Sequence, residues 1–310
     1  MEKTEKIENG PNFLVVGGEK CGTTSLYFYL RQHPQAFVPS KDSFFFNPET
    51  VKTRTEANPR FYSREEYAAI YSVRESRAAL ARGEVASSYL MHFQEVIPRI
   101  KRLLGDIRIV IILRNPVERA YSHYMHYVKD LRETRSFMEA IESELQDKDQ
   151  LPVNRHFFNC GLYYEPVRRF LDEFSAVKIL LFEDLIGDTE ATLRDLYRFL
   201  GIDEEFKIAN VDSFNVSGYP RNRLLHWIFF KPNRFKLGIK KAIIKTGLGE
   251  DRVTAMIEKC RRSNLEKRAM SLDARARLTE LYRPEIARLE DLLGRDLSVW
   301  NQTPAAEGDS

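Results

Sequence analysis

Cysteine is scarce: Cys21, Cys160 and Cys260 are the only three in 310 residues. An odd count without metal-ligand spacing argues against a disulfide framework and a cysteine-based zinc module, and makes a reducing cytoplasm the simplest expected location. No apolar run approaches the ~20 residues that cross a bilayer, and the polar, charged start does not read as a signal peptide. Net charge is only +3, too little to imply a nucleic-acid partner. Internal repeats are absent. Biased composition is confined to residues 1–10 and 303–310, expected to be flexible, which leaves 11–302 as a single domain.

One local absence stands out. Between Pro220 and Gly249 there is no acidic residue, while Arg221, Arg223, Lys231, Arg234, Lys236, Lys240, Lys241 and Lys245 alternate with aromatic residues. Three readings stay open for 221–245: a helix packed on the core, a basic wall for an anionic ligand, or a peripheral membrane contact.

Near the N-terminus, the apolar run Phe13 to Val16 passes into Gly17, Gly18, Glu19, Lys20, Cys21, Gly22, Thr23, Thr24 and Ser25. A buried strand, a glycine loop and a helix start with three hydroxyls make a phosphate cradle, in which first-turn amides and the helix dipole meet an anion. In a nucleoside triphosphate P-loop, the lysine follows the second glycine and the next hydroxyl holds magnesium. Here that slot is Thr23, and the only lysine, Lys20, stands two residues before Gly22.

A second run, Ile107 to Leu113, reads as a strand buried on both faces and empties into Arg114, Asn115 and Pro116, with Ser122 about two helical turns further on. Arg114 and Ser122 can converge on one anion at the rim of a parallel sheet, a guanidinium fork beside a hydroxyl. Further strands are expected at Gln35 to Val38 and Val177 to Phe182, and helices at Thr24 to Gln32, Val117 to Lys129 and Thr189 to Leu200. The expected fold is α/β: a P-loop-like doubly wound parallel sheet flanked by helices, with helical or loop excursions at 49–82 and 130–154 and a helical C-terminal part.

These two motifs, in this order, resemble the sulfotransferases that use 3′-phosphoadenosine 5′-phosphosulfate (PAPS), in the branch of the heparan sulfate enzymes and their bacterial relatives. Later segments add to the resemblance: Gly83 to Leu90, Gly161 to Tyr164, Phe182 to Leu185, Phe214 to Gly218 and Leu292 to Trp300. The resemblance implies that Lys20, Cys21, Gly22, Thr23, Thr24 and Ser25 hold the 5′-phosphosulfate, that Arg114 and Ser122 hold the 3′-phosphate, and that Ser217, Gly218 and Arg221 close over the donor. It implies a carbohydrate or glycolipid acceptor and no metal. Lys20 would stabilise the leaving group, and Asp42 would be the general base.

Asp42 departs from the branch, which writes glutamate there and often histidine at the position of Phe44. A turn role for Asp42 stays open, with Glu84 or a histidine as base. His123 and His126, three apart on an expected helix, lack a third ligand in sequence and read as packing residues. Two rival functions share the cradle: a P-loop kinase, disfavoured by Thr23, and a silent binder of the donor product, disfavoured by Lys20.

Overall fold

A computed structural model describes residues 6–47, 63–147, 155–209 and 269–302, and the backbone of 219–220 and 265–266. The first strand, β1 (Phe13–Gly17), is buried along its whole length, and β4 (Arg108–Leu113) is buried at every position except Arg108. Apolar side chains on both faces suit interior strands of a parallel sheet. The sheet order is β2-β3-β1-β4-β5, with β2 at Ala36–Phe37, β3 at Ala81–Val85 and β5 at Val177–Leu181, and all its pairings are parallel. The winding reverses beside β1, so the open end of the sheet at its strand C-termini is where a ligand is expected.

Strand β3 carries Arg82 and Glu84, which hide it from an apolar pattern. Both are satisfied by tertiary partners: the Arg82 guanidinium reaches the carbonyls of Gly10 and Ala79, and Glu84 accepts from Tyr67 and Tyr89. Gly83 is fixed by contact, since a Cβ there would lie 2.3 Å from Phe13 Cζ on the central strand.

Helix α1 (Thr23–Gln32) follows β1; α2 (Arg64–Tyr71) and α3 (Arg74–Ala78) form the excursion before β3; α4 (Phe93–Leu103) leads to β4. Beyond β4 come α5 (Pro116–Lys129), α6 (Phe137–Gln146), α7 (Tyr164–Glu173), α8 (Phe182–Gly187), α9 (Thr189–Leu200) and α10 (Leu272–Leu293). Helix starts follow local chemistry: Ser63 with Glu66 and Ser136 with Glu139 form capping boxes, and Asn115 caps α5 with Pro116 in its first turn. Helix α10 closes the C-terminal side. Tyr282 on it donates to Phe158 O at 2.7 Å, and a Cβ at Gly161 would lie 2.6 Å from the Tyr282 hydroxyl.

Ile7 is buried and its amide donates to Leu103 O at 2.8 Å, so the packed chain reaches back before residue 11. Among the described residues no helix is long and apolar enough to cross a membrane. The antiparallel pair Tyr219–Pro220 and Leu265–Glu266 stands apart from the main sheet.

Candidate active site

Where the strands end, a cleft of about 560 Å³ opens, lined by Lys20, Thr23, Thr24 and Ser25 from the first loop and helix, and by Arg114 and Ser122 from the second motif. Gly17 at φ 140° leaves no room for a side chain, because a Cβ would meet Leu90 Cβ at 2.9 Å. Gly22, at φ 95°, caps α1 with no side-chain hydrogen bond, and the first turn of the helix contains no acid. The amides of that turn therefore meet the cleft without a built-in anion.

Cys21 is not among the residues that line the cleft. Its side chain is wholly buried, Sγ lies 3.6 Å from the Tyr163 hydroxyl, and its amide donates to Gly18 O at 3.2 Å. Both its thiol and its amide hydrogen are engaged within the protein. Burial pushes its thiol up to about 11, the opposite of a reactive cysteine.

Arg114 is held from several sides. Its Nη1 donates to Lys20 O at 3.3 Å, its guanidinium lies 4.6 Å from the centre of the Phe182 ring, and its carbonyl accepts from Tyr163 Oη at 3.0 Å. The next residue, Asn115, donates its amide to Glu183 Oε1 at 2.9 Å and its Nδ2 to Trp300 O at 3.3 Å. Distant segments that look isolated in sequence, around Tyr163, Glu183 and Trp300, thus share one task. They fix the turn that presents Arg114.

Asp42 also reaches the cleft, at a left-handed φ of 55°. Its Oδ1 accepts from the amide and the hydroxyl of Ser87, each at 2.7 Å, and its Oδ2 pairs with Lys41 Nζ. Glu84 does not line the cleft; it is fully buried beneath it. Its carboxyl accepts from Ser43 Oγ, from Tyr89 Oη at 2.9 Å and from Tyr67 Oη at 2.7 Å, and burial holds its pKa above the ordinary carboxylate range. Of the two carboxylates only Asp42 meets an entering molecule.

Lys20 is half-buried, and its pKa falls to about 8. Desolvation is the main cause; Glu19 opposes it, while Lys129, Arg114 and Lys41 add to it. His126, one helical turn after Ser122, faces the same cleft. Its pKa is pulled down to about 4, first by desolvation and then by Lys20. Its side chain is 40% exposed, with Nε2 3.9 Å from Asp130 Oδ2.

His123 turns the other way, into the core. Glu19, His123 and Cys160 bring ligand-type atoms within 4.8 Å of one another, a cluster that spacing in sequence conceals. Arg119 argues against a cation there. Its Nη1 lies 3.4 Å from His123 Nδ1, and a guanidinium only donates, so the imidazole proton sits on Nε2 and no lone pair faces the cluster.

Ser217, Gly218 and Arg221, together with the basic stretch 221–245 and Cys260, lie outside the residues whose side chains are described.

The described cleft stands within a longer match: residues 11–206 fit the profile of the sulfotransferase family. The chain belongs to the sulfotransferase family. A sulfotransferase crystal structure from Alicyclobacillus acidocaldarius is 29% identical, with a TM-score of 0.68, covering 94% of this chain and 99% of that one. The bifunctional heparan sulfate N-deacetylase/N-sulfotransferase 4 of Mus musculus is 27% identical over 226 residues, 69% of this chain and 24% of that protein. The corresponding protein 2 of Bos taurus is 27% identical over 209 residues, 64% and 23% of the two chains. The chain spans about a quarter of the length of these curated relatives.

In this family member, sequence reasoning missed Lys41, Ser87, His126 and the apolar wall of Phe182, Leu185 and Ile186, all of which line the cleft. The four-residue spacing of Ser122 and His126 was the available signal, since it puts both on one helical face.

Proposed function

We propose that this protein transfers the sulfuryl group of PAPS, in line, to a hydroxyl or amine of a carbohydrate-type acceptor, a glycan or glycolipid. One observation carries the reading: an uncapped, acid-free helix start, Lys20, Arg114 and Ser122 share a single cleft with the carboxylate of Asp42.

The α1 amides and the Thr24 and Ser25 hydroxyls suit the 5′-phosphosulfate, and Arg114 with Ser122 suits the 3′-phosphate. Phe182, Leu185 and Ile186 offer apolar surface for the purine. As the S–O bond to the 5′-phosphate breaks, the electron pair passes to the bridging oxygen, where the Lys20 ammonium meets it. The acceptor loses its proton to the Asp42 carboxylate, whose Oδ1 is held by both Ser87 donors and whose Oδ2 is held by Lys41. His126 is a further group lining the cleft that is able to accept a proton. The residues present ask for positioning and fixed positive charge, with little covalent chemistry by the protein.

The names of the heparan sulfate relatives support a carbohydrate acceptor. A cytoplasmic location is part of the reading, supported by the free thiols of Cys21 and Cys160. The test is transfer of labelled sulfuryl from PAPS to a panel of N-deacetylated and N-acetylated glycans and glycolipids. Label on a glycan that disappears in Lys20→Ala is the expected result. Donor binding without transfer to any acceptor class would favour a silent binder instead.

A further inference from the structure

The carboxylate that meets the acceptor is held on nearly every side. A carboxylate offers about four lone-pair sites. On Asp42 the Ser87 amide and hydroxyl occupy Oδ1, each at 2.7 Å, and the Lys41 ammonium occupies one side of Oδ2. The backbone fixes this arrangement, because the Asp42 amide donates to Val85 O at 2.8 Å and Lys41 bridges to Val85 at the end of β3. Among the described residues, Asp42 is the one hydrogen-bond partner of Lys41 Nζ. An acceptor proton therefore arrives at the remaining site of Oδ2, and the group that brings it comes up beside Lys41.

An ammonium only donates, so it asks its neighbour for a lone pair. A hydroxyl at this place gives its proton to Asp42, spends one lone pair on sulfur and keeps the other for a Lys41 N–H. A neutral amine has a single lone pair, which the attack consumes, and its remaining hydrogens face the hydrogens of Lys41. A protonated amine brings no lone pair and a second positive charge.

We propose that Lys41 makes this cleft selective for hydroxyl acceptors, so that the protein forms sulfate esters and not N-sulfates. The inference deepens the PAPS reading above and rests on it.

The other charged and titratable groups of the cleft do not reverse the preference. Lys20 and Arg114 add positive charge. Glu19, the second carboxylate, has Oε1 3.7 Å from Nε2 of the fully buried His123, on the core side, and His126 has Nε2 3.9 Å from Asp130. In the step itself the acceptor O–H bond breaks and its proton stays on Asp42. An oxygen lone pair forms the new S–O bond as the S–O bond to the 5′-phosphate breaks, and that electron pair leaves on the bridging oxygen beside Lys20. The products are a sulfate ester and adenosine 3′,5′-bisphosphate. The Lys41 contact holds the acceptor oxygen and stabilises the negative charge that develops on it.

The experiment is transfer of labelled sulfuryl from PAPS to one glucosamine-containing glycan in two forms, N-acetylated and N-deacetylated, with mass spectrometry placing the label on oxygen or nitrogen. Wild type, Lys41→Met and Lys41→Arg are compared, and adenosine 3′,5′-bisphosphate is titrated into each by calorimetry. The wild type is expected to label oxygen on both forms and to leave the free amines with less than about a tenth of the label. Lys41→Met loses the contact to the hydroxyl, so transfer to oxygen falls about 10- to 100-fold while transfer to nitrogen does not, and the nitrogen-to-oxygen ratio rises accordingly. Lys41→Arg keeps a cation with N–H donors and holds the ratio near that of the wild type. Bisphosphate affinity stays within a few-fold in all three proteins, which separates selectivity from damage to the fold or the donor site.

Label mainly on nitrogen in the wild type, or a ratio unmoved in Lys41→Met, would overturn the proposal. Bisphosphate binding with no label on either form would overturn the carbohydrate reading and the proposal with it. Failure of the wild type to bind the bisphosphate would instead overturn the PAPS reading itself.

Discussion

Asp42→Asn and Glu84→Gln separate a carboxylate that does chemistry from one that holds the site together. Asp42 lines the cleft and keeps Oδ2 beside Lys41, whereas Glu84 is sealed under it by Ser43, Tyr67 and Tyr89. Loss of a general base costs about 10²- to 10⁴-fold in rate, so Asp42→Asn should lower kcat by that amount with donor affinity little changed. In Glu84→Gln the amide oxygen still accepts from Ser43 and Tyr89, and only the Tyr67 contact must reverse its donor. That is the loss of about one net hydrogen bond, about 1 kcal/mol of stability, with kcat within a few-fold of wild type.

Glu84→Ala is harsher, since three buried hydroxyls lose their acceptor at once; breaking such a buried site costs about 3–5 kcal/mol. The pH dependence has a definite sign. Burial raises the Glu84 pKa in the folded state above its ordinary 4.5, so the folded protein binds the proton more tightly than the unfolded chain does. The Glu84 contribution is full below that ordinary value and declines as pH rises through the folded-state pKa. The stability gap between wild type and Glu84→Gln narrows over the same interval. Urea unfolding at several pH values together with steady-state sulfuryl transfer measures both effects. If Glu84→Gln abolishes turnover while the fold stays intact, and Asp42→Asn does not, the assignment of the base is refuted.

Lys20→Ala removes the preorganised charge at the leaving group and should lower kcat about 10²- to 10³-fold in labelled transfer assays. Arg114→Ala removes a charge-assisted contact of about 1.5–3 kcal/mol, so adenosine 3′,5′-bisphosphate should bind about 10- to 100-fold more weakly while 5′-AMP is affected far less. Gly22→Ala puts a Cβ at φ 95° and 2.7 Å from Phe182 Cδ2, displacing the ring under Arg114. About 1–2 kcal/mol of backbone strain should appear as lower stability, with bisphosphate affinity reduced about tenfold or more.

The phosphate loop and β4 were legible in sequence because their signals are local: an apolar run, a glycine turn and a charged exit. The three helices expected at Thr24 to Gln32, Val117 to Lys129 and Thr189 to Leu200 differ from the observed α1, α5 and α9 by at most one residue at either end. Strand β3 was hidden by Arg82 and Glu84, whose partners come from other parts of the chain. Motif membership could not say which way a side chain turns, so Cys21 was grouped with its neighbours although its thiol packs against Tyr163.

The same limit applied to the two histidines. One helix sends His123 to the core and His126 to the cleft, and only the neighbours of each decide its chemistry. The roles of Tyr163, Glu183 and Trp300 rest on hydrogen bonds across 49, 68 and 185 residues, beyond the reach of any local pattern.

The central claim is that the cleft is a PAPS site, and parallel calorimetric titration with adenosine 3′,5′-bisphosphate and with ATP plus magnesium tests it most directly. The account predicts a clear preference for the bisphosphate that collapses in Arg114→Ala. Equal or tighter binding of magnesium ATP, unchanged by that substitution, would contradict it and return the cleft to the kinases.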